Sequence, residues 1–317
     1  VGSEMCIRDR KIPVFFTFDA NYLLAAKVAI HSMMKHASRQ YWYELYVFHT
    51  TLSPKAQQSL RNSLKEFTHT ELHFIDVTQY NEKIKNFGTK AHYSKEIFYK
   101  LIATDVLPQY DRIICSDVDV VFTGDFSPVF FMFPNEKFYY AGVGPVENSR
   151  MPYYRKDFST TEMEILEHEI AAGFLLINLK ELRNDHKQEE IINFYVNNYP
   201  RLRLPEQDCI ILTCWPYIKY LPIDYSLPIS FYRLNMNQRD FYQGNTEFAG
   251  DKATALAKFN KGLAHPVQIH YAGFDKPWNC FRLTRRQDWI KAMKSTPGGM
   301  VSVSYTHLRA HETLRHL

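Results

Sequence analysis

The sequence predicts an α/β fold in which a mostly parallel central sheet is flanked by helices. Short apolar runs alternate with helical patterns through the first 125 residues, which is typical of strands joined by helical crossovers. A hydrophobic content of 45%, with 15% aromatic residues, is enough for a sizeable core in a chain of 317 residues. One apolar run also leads directly into acidic residues, and ligands in such sheets bind beyond the carboxyl ends of the strands.

Strand and helix signals alternate in the first half of the chain. Strands are predicted at residues 13–18, 44–49 and 72–76 and within 111–122, and helices at 22–36, from 54 onwards and over 98–106. The apolar faces of the first two helices are formed by Tyr22, Ala26, Ala29 and Met33, and by Leu60, Leu64 and Phe67. Ser53 supplies an N-cap and Pro54 a first-turn proline, so the second helix is expected to begin there.

The second half is less regular. Apolar runs predict strands at residues 173–179 and 267–273, with a short helix at 207–213 between them. Aromatic stretches broken by proline, at 146–158 and 225–245, predict loops around a binding cleft. Because no linker or repeat divides the chain, we expect one domain over residues 11–295, with halves 11–125 and 126–295.

Composition excludes several classes of protein. The net charge of +4 comes without the Lys/Arg blocks that mark nucleic-acid binding. Five cysteines, with no CxxC pair, disfavour a disulfide framework or a structural zinc site and favour a reducing compartment. Since neither a spanning apolar stretch nor a signal peptide is evident, the sequence predicts a cytoplasmic protein, with peripheral contact at the inner membrane left open.

The two ends of the chain differ from the rest. Residues 1–10 and 301–317 lack periodicity and resemble translated adapter sequence, so we expect them to be foreign tails and exclude them from the fold. Five residues before the second tail, the segment 289–295 is amphipathic. This segment is expected to be a terminal surface helix or the beginning of a membrane-docking extension.

The strongest chemical motif is the run SDVDVVF, which contains Asp117 and Asp119. If the run is a strand, its two-residue period points both carboxylates to one side. Paired carboxylates suit a hard divalent cation, which would neutralise charge on a departing diphosphate. The alternative is a solvated strand end, since Asp-x-Asp is a short pattern.

A second cluster of chemically useful residues lies in IHYAGFDKPWNCF. His270 can complete a metal shell, Gly273 permits close backbone approach to a phosphate, and Lys276 offers a point charge to it. The alternative is a core histidine beside a surface lysine and a packed Trp278. The first interpretation complements the carboxylates of the SDVDVVF run.

Five segments follow one another along the chain in this order: FTFDANY, SDVDVVF, AAGFLLINLKELR, PEQDCIIL and HYAGFDKPW. Together they resemble glycosyltransferase family 8, and most closely its bacterial lipopolysaccharide glucosyl- and galactosyltransferases, over residues 12–288. The resemblance implies a GT-A fold with a Rossmann-like sheet, a UDP-sugar donor, and retention of anomeric configuration. It also implies Mn²⁺ as the cofactor, with Mg²⁺ as the alternative.

The resemblance also assigns roles to individual residues. The implied metal ligands are Asp117, Asp119 and His270, and the implied donor-binding residues are Thr17, Asp19, Asn21, Tyr22, Lys100, Asp117, Gly273 and Lys276. A helix cap at Asp19 and Asn21, and a solvated helical lysine at Lys100, are the plainer alternatives. Asp19 and Asn21 can cap and bind nucleotide together, because the first strand-to-helix turn can do both.

Candidate catalytic residues come from the segment PEQDCIIL. We expect Gln207 and Asp208 near the anomeric carbon and the donor hydroxyls, with Glu206 as the alternative carboxylate. The family often has Asn where this chain has Ala171, and Asp where it has Glu206, so sugar recognition is expected to differ here. The 126–295 half would carry the sugar and acceptor sites.

The resulting hypothesis is a retaining hexosyltransferase. It would move glucose or galactose from a UDP-sugar to the core of lipopolysaccharide or to another cell-surface glycan, without a nucleic-acid partner. Two alternatives remain at this point. One is a metal-dependent nucleotide-sugar hydrolase or phosphotransferase, and the other is a nucleotide-sugar-binding protein that has lost catalysis.

Overall fold

The computed structural model describes residues 11–85, 87, 94–148 and 154–299. The two terminal segments that the sequence sets apart, 1–10 and 301–317, lie outside these ranges, as do residues 149–153 of one predicted loop.

A seven-stranded, mostly parallel sheet forms the centre of the fold. In chain order, the strands of the structure are β1 (Lys11–Thr17), β2 (Trp42–His49), β3 (Thr70–Asp76), β4 (Ile113–Ser116), β5 (Val120–Phe122), β6 (Tyr140–Val143), β7 (Phe174–Ile177), β8 (Ile218–Leu221), β9 (Leu227–Pro228) and β10 (Gln268–His270). The order across the large sheet is β3-β2-β1-β4-β7-β6-β8. Strand β7 is antiparallel to both of its neighbours, and every other adjacent pair is parallel.

Helices connect the strands and cover the sheet. The α-helices are α1 (Leu23–His36), α2 (Pro54–Ser63), α3 (Asn81–Ile84), α4 (Ala103–Val106), α5 (Thr160–Leu166), α6 (Leu179–Asn184), α7 (Lys187–Asn198), α8 (Pro205–Cys214), α9 (Lys252–Ala264) and α10 (Arg286–Ser295). Short 3₁₀ helices occur at Ala20–Tyr22, Thr78–Tyr80, Lys95–Ile102, Ser127–Phe131, Ile223–Tyr225, Ile229–Arg233 and Thr246–Phe248. Among the described residues, none of the helices combines the length and apolar character needed to cross a bilayer.

Most of the predicted elements are confirmed. Strands β1, β2 and β3 overlap the runs predicted for them, and each is one or more residues longer at its start. The predicted cap of α2 is present, since the Ser53 side chain accepts a hydrogen bond from the backbone N–H of Ala56 at 3.3 Å and Pro54 begins the helix. The capping therefore follows from local sequence, as expected.

Two predictions need correction. The helix predicted over 98–106 is mainly a 3₁₀ helix, Lys95–Ile102, with only its last turn in α conformation. The run within 111–122 is not one strand. It divides into β4 and β5, which belong to different sheets, because the chain leaves the large sheet after Ser116.

A second sheet of three strands, in the order β5-β10-β9, lies beside the large one. Strand β10 is antiparallel to β5 and parallel to β9. Val14 of β1 and Val120 of β5 belong to the same hydrophobic cluster, whereas Phe15 and Cys115 face a second cluster on the other side of the large sheet. The small sheet thus brings the late strand β10 to the carboxyl ends of β1 and β4.

Candidate active site

Asp117 and Asp119 lie in the link between the two sheets. The backbone N–H of Asp117 donates to the carbonyl oxygen of Gly173 at 3.0 Å, and the backbone N–H of Tyr271 donates to the carbonyl oxygen of Asp119 at 3.0 Å. Val118 between them is buried in the core. The link is therefore fixed on one side by the residue before β7 and on the other by the residue after β10.

His270 completes a cluster with the two carboxylates. It is the last residue of β10 and pairs with Val120, so the small sheet brings it next to the link. Its Nε2 lies 3.6 Å from Asp117 Oδ2 and 3.3 Å from Asp119 Oδ1. One ligand atom from each of the three residues lies within 4.8 Å of the other two.

The cluster fits a divalent cation. Two carboxylates and an imidazole nitrogen are the donors that Mn²⁺ accepts, and Mg²⁺ accepts the carboxylates. The histidine ring packs against Gly173, where a Cβ would lie 2.5 Å from His270 Cε1 and Nδ1. The ring is thus seated against backbone, with its Nε2 toward the carboxylates.

A lysine is paired with each of the two carboxylates. Lys276 Nζ lies 2.6 Å from Asp119 Oδ2 and donates to the carbonyl oxygen of Tyr271 at 2.9 Å. Lys100 Nζ lies 2.6 Å from Asp117 Oδ1 and 3.2 Å from Glu206 Oε1. Both ammonium groups are buried. The site therefore combines three carboxylates, two ammonium groups and an imidazole.

These charges shift the pKa values of the buried groups. Burial opposes ionisation of Asp119, but His270 and Lys276 outweigh it and hold the pKa of this carboxyl below its usual range. Burial likewise disfavours the charged form of Lys100, yet Asp117 and Glu206 raise the pKa of its ammonium. For Glu206, burial prevails over the attraction of Lys100 and raises the pKa.

The turn after β1 lies at the same site. Asp19 accepts hydrogen bonds from the backbone N–H groups of Asn21 and Tyr22 at 2.8 and 3.3 Å, so the capping interpretation is correct for this residue. Asn21 itself is exposed and donates to Asp19. The pKa of Tyr22 is raised to about 12 by burial and by the nearby carboxylates of Asp119, Asp19 and Asp117. The hydroxyl of Thr17 donates to the carbonyl oxygen of Glu96.

A cleft of about 390 Å³, here called the metal cleft, opens at this cluster. Among the predicted site residues its lining includes Thr17, Asp19, Tyr22, Asp117, Asp119, Glu206, Gln207, His270, Gly273 and Lys276. Gly273 has a φ of +100°, a left-handed conformation that favours glycine. Residues from both halves of the chain, far apart in sequence, therefore line one cavity.

A second cleft of about 360 Å³, the loop cleft, lies next to the first. Its walls include Val146, Glu169, Ala171 and Phe231. Three residues, Gln207, His270 and Ala272, line both clefts. The carboxylate and histidine cluster therefore lies where two neighbouring cavities meet.

The structure separates the three candidate catalytic residues. Gln207 lies at the junction of the clefts and Glu206 lines the metal cleft. Asp208 lines neither, because its carboxylate is fully buried and accepts hydrogen bonds from the backbone N–H groups of Arg203 and Leu204 at 2.6 and 3.0 Å. Its position is that of a residue that holds the segment before α8.

Sequence reasoning did not identify two residues of the site. In the sequence Gly173 stands only at the start of an apolar run, and its contact with His270 joins residues about a hundred positions apart. Glu169 is buried in the wall of the loop cleft. The only signal for it is a charged residue just before an apolar run, which is too common to single it out.

Comparison with known proteins links this geometry to one family. The family model described as glycosyl transferase family 8 matches residues 13–281. The chain is similar to the glycosyltransferase GlyF of Streptococcus pneumoniae, with 21% identity over 278 residues, which are 86% of this chain and 59% of that protein. It is also similar to a lipopolysaccharide 1,2-glucosyltransferase of Escherichia coli, with 22% identity over 275 residues, 84% of this chain and 73% of the relative.

Solved structures show the same fold. The bifunctional glycosyltransferase WbbM superposes with a TM-score of 0.72 and 22% identity, over 94% of this chain and 52% of that one. The galactosyltransferase LgtC, in complex with donor and acceptor sugar analogues, superposes with a TM-score of 0.68 and 17% identity, over 90% and 96% of the two chains. The chain thus spans little more than half the length of GlyF and WbbM.

Proposed function

The chain belongs to glycosyltransferase family 8 and has a GT-A fold, and we propose that it is a retaining hexosyltransferase that uses a UDP-sugar. Glucose or galactose is the proposed sugar, because the relatives include a glucosyltransferase and a galactosyltransferase. The proposed acceptor is a carbohydrate of the lipopolysaccharide core or of another cell-surface glycan. The proposed place of action is the cytoplasmic side of the membrane.

The observation that carries the proposal is the meeting of the two clefts at the carboxylate and histidine cluster. A transfer reaction needs a donor and an acceptor side by side, with their reacting atoms within about 3–3.5 Å. The metal cleft is suited to the donor, since it holds Asp117, Asp119 and Lys276. The loop cleft, which shares Gln207 with it, is suited to the acceptor.

Donor binding is proposed to use the groups around the metal cleft. Asp117, Asp119 and His270 would hold Mn²⁺ or Mg²⁺, which when bound supplies positive charge against the diphosphate. Lys276 and the backbone at Gly273 would contact the phosphate oxygens. The turn after β1, with Asp19 and Tyr22, would receive the nucleoside, and its capping hydrogen bonds keep it in place.

The reaction itself is proposed to proceed on one face of the sugar. The bond between the anomeric carbon and the diphosphate oxygen breaks, and its electron pair stays with the diphosphate. The acceptor hydroxyl oxygen then forms a bond to the same face of that carbon, and its proton passes to the released diphosphate oxygen. This order retains the anomeric configuration, and Gln207 and Glu206 are the side chains proposed to face the sugar.

The test compares three single variants, Asp117→Asn, Asp119→Asn and Asp240→Asn. Each of the first two removes one negative charge from the cation site and is expected to lower Mn²⁺-dependent transfer from UDP-glucose or UDP-galactose at least about a hundredfold, the scale of losing one group that stabilises the departing charge. The third is the control, because Asp240 has a side chain that is 93% exposed. Transfer to an oligosaccharide panel is measured together with the melting temperature.

Distinct results would contradict distinct parts of the proposal. Full Mn²⁺-dependent transfer by both cleft variants would refute the cation site. Donor turnover that does not depend on any carbohydrate acceptor would favour a hydrolase over a transferase. If no UDP-sugar raises the melting temperature of the unmodified chain in the presence of Mn²⁺, the nucleotide-sugar assignment is wrong, because a specific ligand must stabilise the folded state.

A further inference from the structure

We propose that Glu169 is a positioning residue that orients the side-chain amide of Gln207 at the junction of the two clefts. The inference rests on the proposed function, because it assigns a task to the wall shared by the donor and acceptor sites. It concerns a residue of this chain that lies outside the cluster of Asp117, Asp119 and His270. Glu169 would act through Gln207 and would not itself contact the donor.

The geometry of the pair is direct. Gln207 is the third residue of α8, and its Nε2 donates to Glu169 Oε1 at 2.5 Å. Glu169 lies five residues before β7 and is 5% exposed, whereas Gln207 is half-buried at the junction of the clefts. A hydrogen bond from an amide to an ionised carboxylate is stronger than one between neutral groups.

The chemistry of the two groups fixes which end of the amide faces the cleft. An ionised carboxylate only accepts hydrogen bonds, so Gln207 must turn its NH₂ group toward Glu169. The carbonyl oxygen, on the other side of the amide, is then directed away from Glu169. The neighbouring negative charge also draws electron density toward that oxygen.

A carbonyl oxygen in this place suits the proposed reaction. Positive charge develops at the anomeric carbon as its bond to the diphosphate breaks, and a preorganised oxygen dipole stabilises such charge. The opposite amide orientation would place an NH₂ group there and would oppose the developing charge. By holding one orientation, Glu169 lowers the barrier without contacting the sugar.

Other hydrogen bonds hold the start of α8. The segment before α8 is held by Asp208, which accepts from the backbone N–H groups of Arg203 and Leu204 and from the hydroxyl of Tyr154. Pro205 is the first residue of α8, a position at which the fixed backbone angle of proline favours the start of a helix. Loss of the Glu169 charge is therefore expected to leave α8 in place and to release the amide of Gln207.

The experiment uses Glu169→Gln, Gln207→Ala and the double variant in the full chain. UDP release from UDP-glucose and UDP-galactose with Mn²⁺ is measured with water as acceptor, so that no unidentified acceptor is needed. Glu169→Gln is expected to lower kcat about tenfold to a hundredfold, the cost of misplacing a group by about 1 Å, with little change in KM. The double variant is expected to match Gln207→Ala, because Glu169 acts only through that residue.

The matched control is Glu164→Gln, which removes a carboxylate from an exposed position of α5 and should leave kcat unchanged. An unchanged kcat in Glu169→Gln, or losses in the double variant that multiply, would overturn the inference and leave the proposed function standing. If the unmodified chain releases no UDP from either sugar, the proposed function fails and this inference fails with it. The melting temperature of each variant shows whether it is folded.

Discussion

At the scale of single residues, Lys100 connects two parts of the candidate site. Its side chain is 2% exposed, and its ammonium group lies against Asp117 and Glu206 and donates to the carbonyl oxygen of Ala172 at 3.0 Å. A charge this deeply buried is tolerated only when it is paired and hydrogen-bonded. The lysine therefore holds together two carboxylates from distant parts of the chain.

We predict that Lys100→Met destabilises the protein more than its loss of a single contact suggests. Removing one partner of a buried ionic cluster leaves uncompensated charge, and the free energy of unfolding should fall by about 3–5 kcal/mol. Urea denaturation followed by circular dichroism measures the change. Adding Glu206→Gln to this variant should restore part of the stability, because it removes one of the two carboxylates that lose the ammonium group of Lys100.

The control for this prediction is Lys137→Met. Lys137 also lies 2.6 Å from a carboxylate, that of Asp185, but its side chain is 45% exposed. Exposed pairs contribute about 0–1 kcal/mol, so the control should be nearly as stable as the unmodified protein. Equal effects of the two lysine variants would show that burial of Lys100 does not matter.

Glu247 gives the stability a defined pH dependence. Burial raises the pKa of its carboxyl to about 7, and its Oε2 is buried without a hydrogen-bond partner among the described residues. Because the folded state binds this proton more tightly than the unfolded state, the contribution of Glu247 to stability falls as the pH rises from about 4.5 to 7.

We therefore predict that Glu247→Gln stabilises the protein at pH 8 and not at pH 5. Above the folded-state pKa the ionised carboxylate disfavours folding, and the neutral amide should raise the free energy of unfolding by about 2 kcal/mol. Denaturation curves of both proteins at the two pH values provide the measurement. If Glu247→Gln changes the free energy of unfolding by the same amount at both pH values, the raised pKa of Glu247 is contradicted.

At the level of elements, the link between β4 and β5 shows what a sequence pattern cannot predict. Asp117 and Asp119 were expected to alternate on one strand, yet they lie between β4 and β5, and they still meet at His270. Their identity as a pair was predictable because carboxylates after an apolar run need compensation. Their geometry was not, since it is set by backbone hydrogen bonds to Gly173 and Tyr271, which are distant in sequence.

The last helix illustrates the same limit. Residues 289–295 were expected to be amphipathic, and α10 indeed covers them. Trp289 and Met293, on its apolar side, are buried in a cluster that also contains Val28 of α1. The structure thus supports the surface-helix interpretation for this apolar side, which the sequence pattern alone could not separate from membrane docking.

Strand β7 supplies a prediction about the cation site. A Cβ at Gly173, the residue before this strand, would lie 2.5 Å from the His270 ring, so Gly173→Ala must displace the imidazole. Displacing a group that orients a metal ligand costs about 10–100-fold in affinity, and we predict a loss of this size for Mn²⁺. Isothermal titration with Mn²⁺ in the presence of UDP measures it.

Gly124→Ala is the control for the glycine at β7. The added Cβ would approach no atom more closely than 3.3 Å, and Gly124 lines neither the metal cleft nor the loop cleft. Its Mn²⁺ affinity should therefore equal that of the unmodified chain. Tight Mn²⁺ binding by Gly173→Ala would mean that His270 does not need its observed position to bind the ion.

For the whole molecule, the strands were easier to predict from the sequence than the order and direction in which they pair. The parallel strands β1 to β4 follow from alternating local patterns, which each segment carries by itself. The antiparallel direction of β7 and the second sheet, β5-β10-β9, were not foreseen. Strands of two to four residues have too little pattern to indicate a partner, and the partners of these strands are distant in sequence.

This assembly leads to a prediction about cooperativity. Strand β4 of the first half pairs with β7, and β5 pairs with β10, so neither half buries its polar backbone alone. Phe259 of α9, which is 1% exposed, also shares a hydrophobic cluster with Val14 of β1. The two halves are therefore expected to unfold as one unit, as the single-domain prediction for residues 11–295 requires.

We predict that Phe259→Ala, in the second half, weakens the first half equally. Truncating a buried Phe removes about 3–5 kcal/mol of stability, and in a single cooperative unit the slowest-exchanging amides of β1 and β2 must lose as much protection as those of α9. Hydrogen exchange followed by mass spectrometry resolves the two regions. Phe281→Ala, at a side chain that is 70% exposed, is the matched control and should change neither. Protection lost in α9 but kept in β1 and β2 would show that the halves unfold independently and that the single-domain prediction is wrong.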